Sequence, residues 1–349
     1  MKIDAAFALS LLEGAKKRGA DLSEVYLKSS KNLSVEVRDR ELDAMESSCD
    51  AGYSLRVIRN RRLGFSFSNG VEDAASVVER AVEASRWTEP DDCLDLPEPA
   101  VHEPLCIFDS AVASLSEGEA IESALGIEES ALAYDERIKK VRKAGVTCSS
   151  VAVLIMNSRG LEKTYSATSC TAQITVVAKE KDESRTGWDF EGGRFLSDID
   201  FRVVGSKAAE RAVSLLGSKR MNAVRADVIL DSSVAAEFLG VFASLLSSES
   251  VQKGKSLLAR KVGERVISPV IGLVDDGLVE RRLGSRPFDG EGVPTSRRHL
   301  IENGVLLGYM YNIHTSKKDG VISTGNATRP GFSSLPAVGP SVFSITSSV

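Results

Sequence analysis

Gly263-Glu264-Arg265-Val266-Ile267-Ser268-Pro269, Val274-Asp275-Asp276-Gly277, Gly284-Ser285-Arg286-Pro287-Phe288-Asp289-Gly290-Glu291-Gly292-Val293-Pro294-Thr295, Ile301-Glu302-Asn303-Gly304-Val305-Leu306 and Ser323-Thr324-Gly325-Asn326-Ala327 follow one another within residues 263–329. Strand-like apolar runs alternate here with turn residues whose backbone requirements are specific. Asn303-Gly304 is the favoured two-residue type I′ turn, so residues 297–302 and 305–310 read as a hairpin. Upstream, a strand over 227–230 and a helix over 232–247 lead into this β-rich region.

Working outward, residues 3–19 read as a helix, with Ile3, Phe7, Leu11 and Leu12 on one side and Gly19 as its stop. Strand-like runs follow at 24–28, 33–38, 52–58 and 63–67, then a helix over 71–86. Pro90, Pro97, Pro99 and Pro104 mark 89–104 as a connector rather than a packed element. The pattern then restarts, with an acidic helix over 116–135, strands at 138–148, 151–156, 161–166, 170–179 and 184–190, and a helix over 200–216. Gly64-Phe65-Ser66-Phe67 precedes Glu79-Arg80-Ala81-Val82, and Gly187-Trp188-Asp189-Phe190 precedes Glu210-Arg211-Ala212-Val213. Two shared signatures in the same order point to an internal duplication. The expected fold is α+β: a duplicated helix–antiparallel meander–helix region over 1–220, with helices on one face of the sheet, followed by a β-rich domain over 221–349.

Composition narrows the function classes. A chain of 349 residues with 42% hydrophobic and 27% charged residues has the make-up of an ordinary soluble protein with room for two cores. Its net charge is −5 and its basic clusters, such as Arg59-Asn60-Arg61-Arg62, are short, which argues against nucleic acid as a partner. No apolar run reaches bilayer-spanning length, and Asp4 stands where a signal peptide would carry only positive charge. The five cysteines form an odd set without a Cys-x-x-Cys pair, a pattern that fits reduced thiols in a cytoplasmic protein.

The helix over 232–247 is apolar around most of its circumference, so it is expected to be buried in the core or against another subunit. Glu237 is its only ionisable residue between Asp231 and Glu249 and shares a narrow face with Ser233, Gly240, Ser244 and Ser248. One carboxylate among serines does not make a zinc site, which needs imidazoles a turn apart. His102, His299 and His314 are dispersed, and His299 and Glu302 on one strand are expected to face opposite ways. No metal is therefore expected in this chain. There is no Gly-Lys-Ser/Thr phosphate loop and no Gly-x-Ser-x-Gly elbow. Asp289 and Glu291, flanked by glycines between Pro287 and Pro294, read either as a surface loop that lines a peptide groove or subunit contact, or as a plain turn.

The motifs in 263–329 resemble the carboxy-terminal half of the TldD/PmbA family, once called modulators of DNA gyrase, a name not to be read here as DNA binding. The segments Gly19-Ala20-Asp21, Glu24-Val25 and Val35-Glu36-Val37-Arg38-Asp39 are similar to the family's first domain. The catalytic branch carries a His-Glu-x-x-x-His zinc motif on the helix preceding this stretch, and this chain lacks it. It therefore looks like the PmbA (TldE) branch, whose members pair with a TldD-type metalloprotease that holds the zinc and processes peptides or unfolded segments in the cytoplasm. The resemblance implies a non-catalytic subunit of such a complex, with a homo-oligomer possible for the isolated chain. The alternatives are a stand-alone peptidase with an unfamiliar site and a peptide-binding scaffold. Candidate peptide or partner contacts are Glu237, Ser285, Asp289, Glu291, Gly292 and Asn326. Family chains continue past residues 341–349 with further strands, so the second domain is expected to be incomplete here.

Overall fold

The computed structural model describes residues 4–347; Ile3, the expected start of the first helix, lies outside the described residues. Residues up to 214 form α1 (Ala5–Lys17), β1 (Leu22–Arg38), β2 (Glu41–Arg59), β3 (Arg62–Ser68), α2 (Ala74–Ala84), α3 (Ser110–Ala113), α4 (Glu117–Tyr134), β4 (Ile138–Asn157), β5 (Glu162–Glu180), β6 (Glu183–Gly193) and α5 (Phe201–Ser214). The six strands make one antiparallel sheet in the order β3-β2-β1-β4-β5-β6. Two meanders thus lie side by side, joined by β1 and β4 in a register that runs from Glu24↔Asn157 to Val37↔Ala144.

Strand alternation divides the sheet into two faces. Val25, Leu27, Tyr53, Leu55, Val57, Leu154 and Met156 turn toward α1 and α2. Leu33, Val35, Val37, Val146, Ala172 and Ile174 turn the same way, toward α4 and α5. All four long helices therefore cover one face, as expected for this α+β class. Three of them, α1, α4 and α5, have starts fixed locally. Asp4 accepts a hydrogen bond from the Ala6 N–H, Asp200 accepts from Arg202 and Val203, and Ser116 with Glu119 closes a capping box.

The paired sequence signatures fall at corresponding places. Gly64 in β3 lies under α2, where a Cβ would collide with the Ala81 carbonyl oxygen. Gly187 in β6 lies under α5, where a Cβ would collide with the backbone of Ala208 and Ala212. Two residues further on, Arg80 of α2 reaches Ser66 Oγ at 3.2 Å and Arg211 of α5 reaches Asp189 Oδ1 at 2.7 Å. In both halves, then, a bare glycine lets the helix settle on the edge strand and an arginine bonds across.

The remainder is α6 (Ser232–Leu245), α7 (Ser248–Gln252), β7 (Ile271–Asp276), β8 (Arg297–Glu302), β9 (Val305–Leu306), α8 (Ile313–Asp319), β10 (Ala327–Thr328), β11 (Ala337–Val338) and β12 (Phe343–Ser347). β12, β7, β8 and β9 form a four-stranded sheet, and β10 with β11 a two-stranded one. The Asn303-Gly304 turn joins β8 to β9 with both residues at positive φ, as its sequence requires.

Several local expectations change. The separate runs at 24–28 and 33–38 merge into β1, and those at 138–148 and 151–156 merge into β4. Continuous pairing on both sides, for example Ser30 with Asp50 and Val151, carries the polar middle of the strand through. Residues 227–230 form no strand, because no neighbouring strand pairs with them among the described residues, and Ile229 is fully exposed. The hairpin's second strand ends at Leu306 rather than 310, since Met310 turns away to bond Leu246 and Ser248 of the α6–α7 region. The register shift between β7 and β8 skips Leu300, and this bulge brings His299 and Glu302 to one side, with Nδ1 and Oε1 3.9 Å apart.

Of the two settings expected for the helix over 232–247, the core or another subunit, this chain's own core takes only the helix end. Ala243 and Leu246 at its end enter the core around Leu273, Leu300 and Met310, but Val234, Phe238 and Val241 project into solvent. α6 meets the four-stranded sheet along one side only, and nothing among the described residues covers the other. The proline-bearing connector is packed despite lacking regular structure. Leu96 is buried, His314 Nε2 of α8 lies 2.8 Å from Asp91, and Asp95 pairs with both Arg159 and Lys317.

The glycine packing generates a stability contrast. Gly64→Ala and Gly187→Ala are each expected to lose about 1–3 kcal/mol through overpacking against helix backbone. Gly126→Ala, in mid-helix of α4 with open space around it, is expected to gain about 0.5–1 kcal/mol. Urea unfolding of the three variants against the parent checks both signs.

Candidate functional site

The sheet face that carries no helices is covered in its middle by the Pro287–Pro294 loop and the segment after α8. Tyr26, Val153, Ile155, Leu161 and Phe288 form the apolar part of this joint, with Tyr165 packed edge-on against Phe288. Alternation in β1 and β2 sends Glu24 and Arg56 to this face, where they would be ordinary surface residues if no second layer existed. Instead they are buried.

A chain of charges crosses the joint. Arg56 donates through Nη2 to Glu24 Oε2 at 2.8 Å and through Nη1 to Glu291 Oε1 at 2.9 Å. Glu24 Oε1 accepts from Arg329 Nη2. Glu291 Oε2 accepts the backbone N–H of Ile313, the first residue of α8, at 2.9 Å. Both glutamates therefore have each oxygen engaged, and the two guanidinium groups balance the two carboxylates. Burial alone would raise the Glu24 carboxyl; Arg329 and then Arg56 overcome it and hold the group below its ordinary value. For Arg56, burial opposes the charge, yet Glu24 and Glu291 hold it above its usual range.

Asp289 shapes the loop. Its Oδ1 accepts from the N–H groups of Glu291 and Val293, and its Oδ2 from Ala327, each at 2.9 Å. Burial and the neighbouring Glu291 push its carboxyl up to about 7, with those backbone donors pulling the other way. Gly292 sits at positive φ, and a Cβ there would press on Leu161. Asn326 extends the polar network, donating to Asp275 Oδ2 at 2.6 Å and to the Gly339 carbonyl at 3.2 Å while accepting from Thr324. Ser285 is fully buried, its hydroxyl on the Val279 carbonyl and its own carbonyl held by Arg194 at 2.9 Å.

The structure thus brings Ser285, Asp289, Glu291, Gly292 and Asn326 into one buried region and leaves Glu237 apart, exposed on α6. The surface-loop expectation for Asp289 and Glu291 is corrected: each is 1% exposed, because the loop folds back against the sheet and spends its acids on backbone N–H groups and Arg56. Glu24, Arg56 and Arg329 were missed as site residues. The available signal was a charge on the polar side of an otherwise apolar strand, in Ser23-Glu24-Val25-Tyr26-Leu27 and Ser54-Leu55-Arg56-Val57. Lys163, buried over the Phe288 ring at 5.4 Å, has no hydrogen-bond partner for its ammonium among the described residues. No group of three or more His, Cys, Asp or Glu side chains able to hold a metal occurs among the described residues.

Two outcomes follow from this geometry. An Asp289→Ala/Glu291→Ala variant should be destabilised by about 3 kcal/mol or more, since it strips a partner from a buried charge and orphans backbone donors; denaturant unfolding measures this. Because Glu24 is held below its unfolded value of 4.5, its stabilising contribution is complete above that pH and is lost as pH falls through the folded value. Glu24→Gln should flatten this acid limb in melting temperatures recorded from pH 7 downward, while lowering stability at neutral pH.

The chain matches the PmbA/TldA metallopeptidase domain 1 over residues 23–85, the central domain over 111–216 and the C-terminal domain over 223–348. It is 28% identical over 331 residues to the metalloprotease PmbA homolog of Haemophilus influenzae, covering 92% of this chain and 72% of that protein. Identity to the metalloprotease TldD homolog of the same organism is 29% over 349 residues, covering 94% and 70%. Among solved structures, a candidate modulator of a DNA gyrase from Thermotoga maritima superimposes with a TM-score of 0.89 at 25% identity, over 98% of this chain and 77% of that one. TldE from Thermococcus kodakarensis, at 23% identity and a TM-score of 0.84 over 97% and 77%, shares the fold. On matching models along almost its whole length, this chain belongs to the PmbA/TldD metallopeptidase family.

Proposed function

We propose that this chain is the zinc-free subunit of a two-component metallopeptidase, working with a TldD-type partner that carries the zinc and cleaves peptides or unfolded segments in the cytoplasm. The observation that carries this reading is α6. It stands before the β-rich motifs, where the family's catalytic branch has its His-Glu-x-x-x-His helix, yet residues 232–245 hold no histidine and Glu237 as their only acid. Zinc chemistry needs nitrogen or sulfur ligands converging on one point, and a single exposed carboxylate does not provide them.

In this reading the outward stripe of α6, Val234, Phe238 and Val241, is a subunit contact with Glu237 beside it; apolar groups exposed together are a common mark of association surfaces. The buried residues Ser285, Asp289, Glu291, Gly292 and Asn326 then act on a peptide or partner through the shape they give the Pro287–Pro294 loop. The two meander halves are read as a duplicated domain over 1–220, on the strength of the matching Gly64–Ala81 and Gly187–Ala212 contacts, with residues 221–349 as a second domain.

Purified alone, the chain is expected to bind no stoichiometric zinc by elemental analysis and to cleave no peptide; mixing with a zinc-bearing TldD homologue should produce chelator-sensitive cleavage. Phe238→Asp should leave the melting temperature within a degree or two, since surface changes shift stability by no more than about 0.5 kcal/mol, while weakening the reconstituted activity at least tenfold. Chelator-sensitive cleavage by the chain alone would overturn the proposal in favour of a stand-alone peptidase, and absence of activity with any TldD homologue would favour a scaffold.

A further inference from the structure

Five dispersed cysteines gave no pairing by sequence spacing, but the β4–β5 register sets Cys148 directly opposite Cys170. Both side chains point to the helix-covered face, are buried, and place their sulfurs 2.8 Å apart as free thiols. Opposed residues of antiparallel strands have Cα atoms about 4.5–5.5 Å apart, inside the roughly 4.4–6.8 Å window that a disulfide spans without backbone movement. A bond of about 2.05 Å thus needs only a small closing rotation of the two side chains.

Access is one-sided. Cys148 lines a groove of about 260 Å³ between the sheet and the α3–α4 segment, bounded by Lys31, Ser47, Val112 and Ser149, whereas Cys170 lies fully buried behind it. The groove is wide enough for a molecule the size of water or hydrogen peroxide, and Cys148 lines it while Cys170 does not. The hydrogen bond between the thiols holds Cys148 below its ordinary value and, with burial, pushes Cys170 up, so Cys148 is also the more nucleophilic.

We propose that Cys148 and Cys170 are a peroxide-oxidisable pair that closes into a reversible cross-strand disulfide. The Cys148 thiolate attacks one peroxide oxygen, breaking the O–O bond; with one proton taken up, this leaves Cys148 sulfenic acid and water. The Cys170 sulfur then attacks the Cys148 sulfur, the S–O bond breaks, and the departing hydroxide with the Cys170 proton leaves as a second water. Two thiols are oxidised by two electrons and one peroxide is reduced by two. A dithiol reductant reverses the reaction by exchange. The product staples β4 to β5 at mid-sheet, beneath α3 and the start of α4. Nothing in this inference depends on the subunit reading above.

The test is to treat the purified full chain with hydrogen peroxide, alkylate it in denaturant and map the peptides. A linked Cys148–Cys170 peptide pair, two fewer titratable thiols, and recovery of both with dithiothreitol are expected. Cys170→Ser should leave a Cys148 sulfenic acid that a dione probe traps. Because the mapping is done on the parent chain, the test stands even if that variant folds poorly. Full alkylation of Cys148 and Cys170 after a treatment that oxidises the exposed Cys49 and Cys106 would overturn the proposal, as would over-oxidation of Cys148 with Cys170 left free.

Discussion

The joint between the helix-free sheet face and the Pro287–Pro294 loop rests on one arginine. Arg56 holds Glu24 of the neighbouring strand with one nitrogen and Glu291 of the loop with another. A guanidinium is a rigid planar fork, so satisfying two carboxylates at once fixes the loop's distance and angle to the sheet. A buried ion pair of this kind adds little net stability compared with an apolar replacement, but losing one partner is costly because the other charge stays buried. Its contribution is therefore positional. Glu291 relays the constraint to the start of α8, and α8 in turn pins the connector through His314 and Lys317.

Elements with a strong local signal were legible from sequence. The capped helices, the Asn303-Gly304 turn and the repeated Gly-aromatic-x-Phe and Glu-Arg-Ala-Val segments all carry their instructions within a few residues. The family resemblance was legible too, since it rests on turn residues with particular backbone demands. What escaped was everything decided by a second layer. Alternation tells which strand face a residue occupies, but not whether another segment covers that face; Glu24 and Arg56 look solvated until Glu291 and Arg329 arrive from far along the chain. The same gap misjudged Asp289 and Glu291, whose glycine-rich setting reads as surface, and left the apolar circumference of α6 to be read as core or as subunit contact. Burial is a property of neighbours, and a single sequence states neighbours only where periodicity or a turn forces them.

The buried acids and the outward stripe of α6 have one cause. Acidic residues were drawn inward because backbone N–H groups and guanidinium donors waited for them, and apolar residues of α6 were left outward because no described segment reaches that side. Sequence polarity ranks the cost of burying a side chain; tertiary partners decide whether the cost is met.

The pairing of β1 with β4 has a consequence for how the chain assembles. Each meander ends at its inner edge in a strand whose partner lies in the other meander, so neither half closes its sheet by itself. During synthesis β1 must wait with a long row of unpaired backbone groups until residue 157 has emerged, and an open edge of that kind is prone to pairing with other chains. The Glu24–Arg329 contact spans 305 residues and can form only later still. Contacts so distant in sequence are slow to reward the chain for the entropy of closing them. Assembly of this molecule is therefore expected to be slow and late-locking, with the sheet's seam zipped first and the charged joint set last.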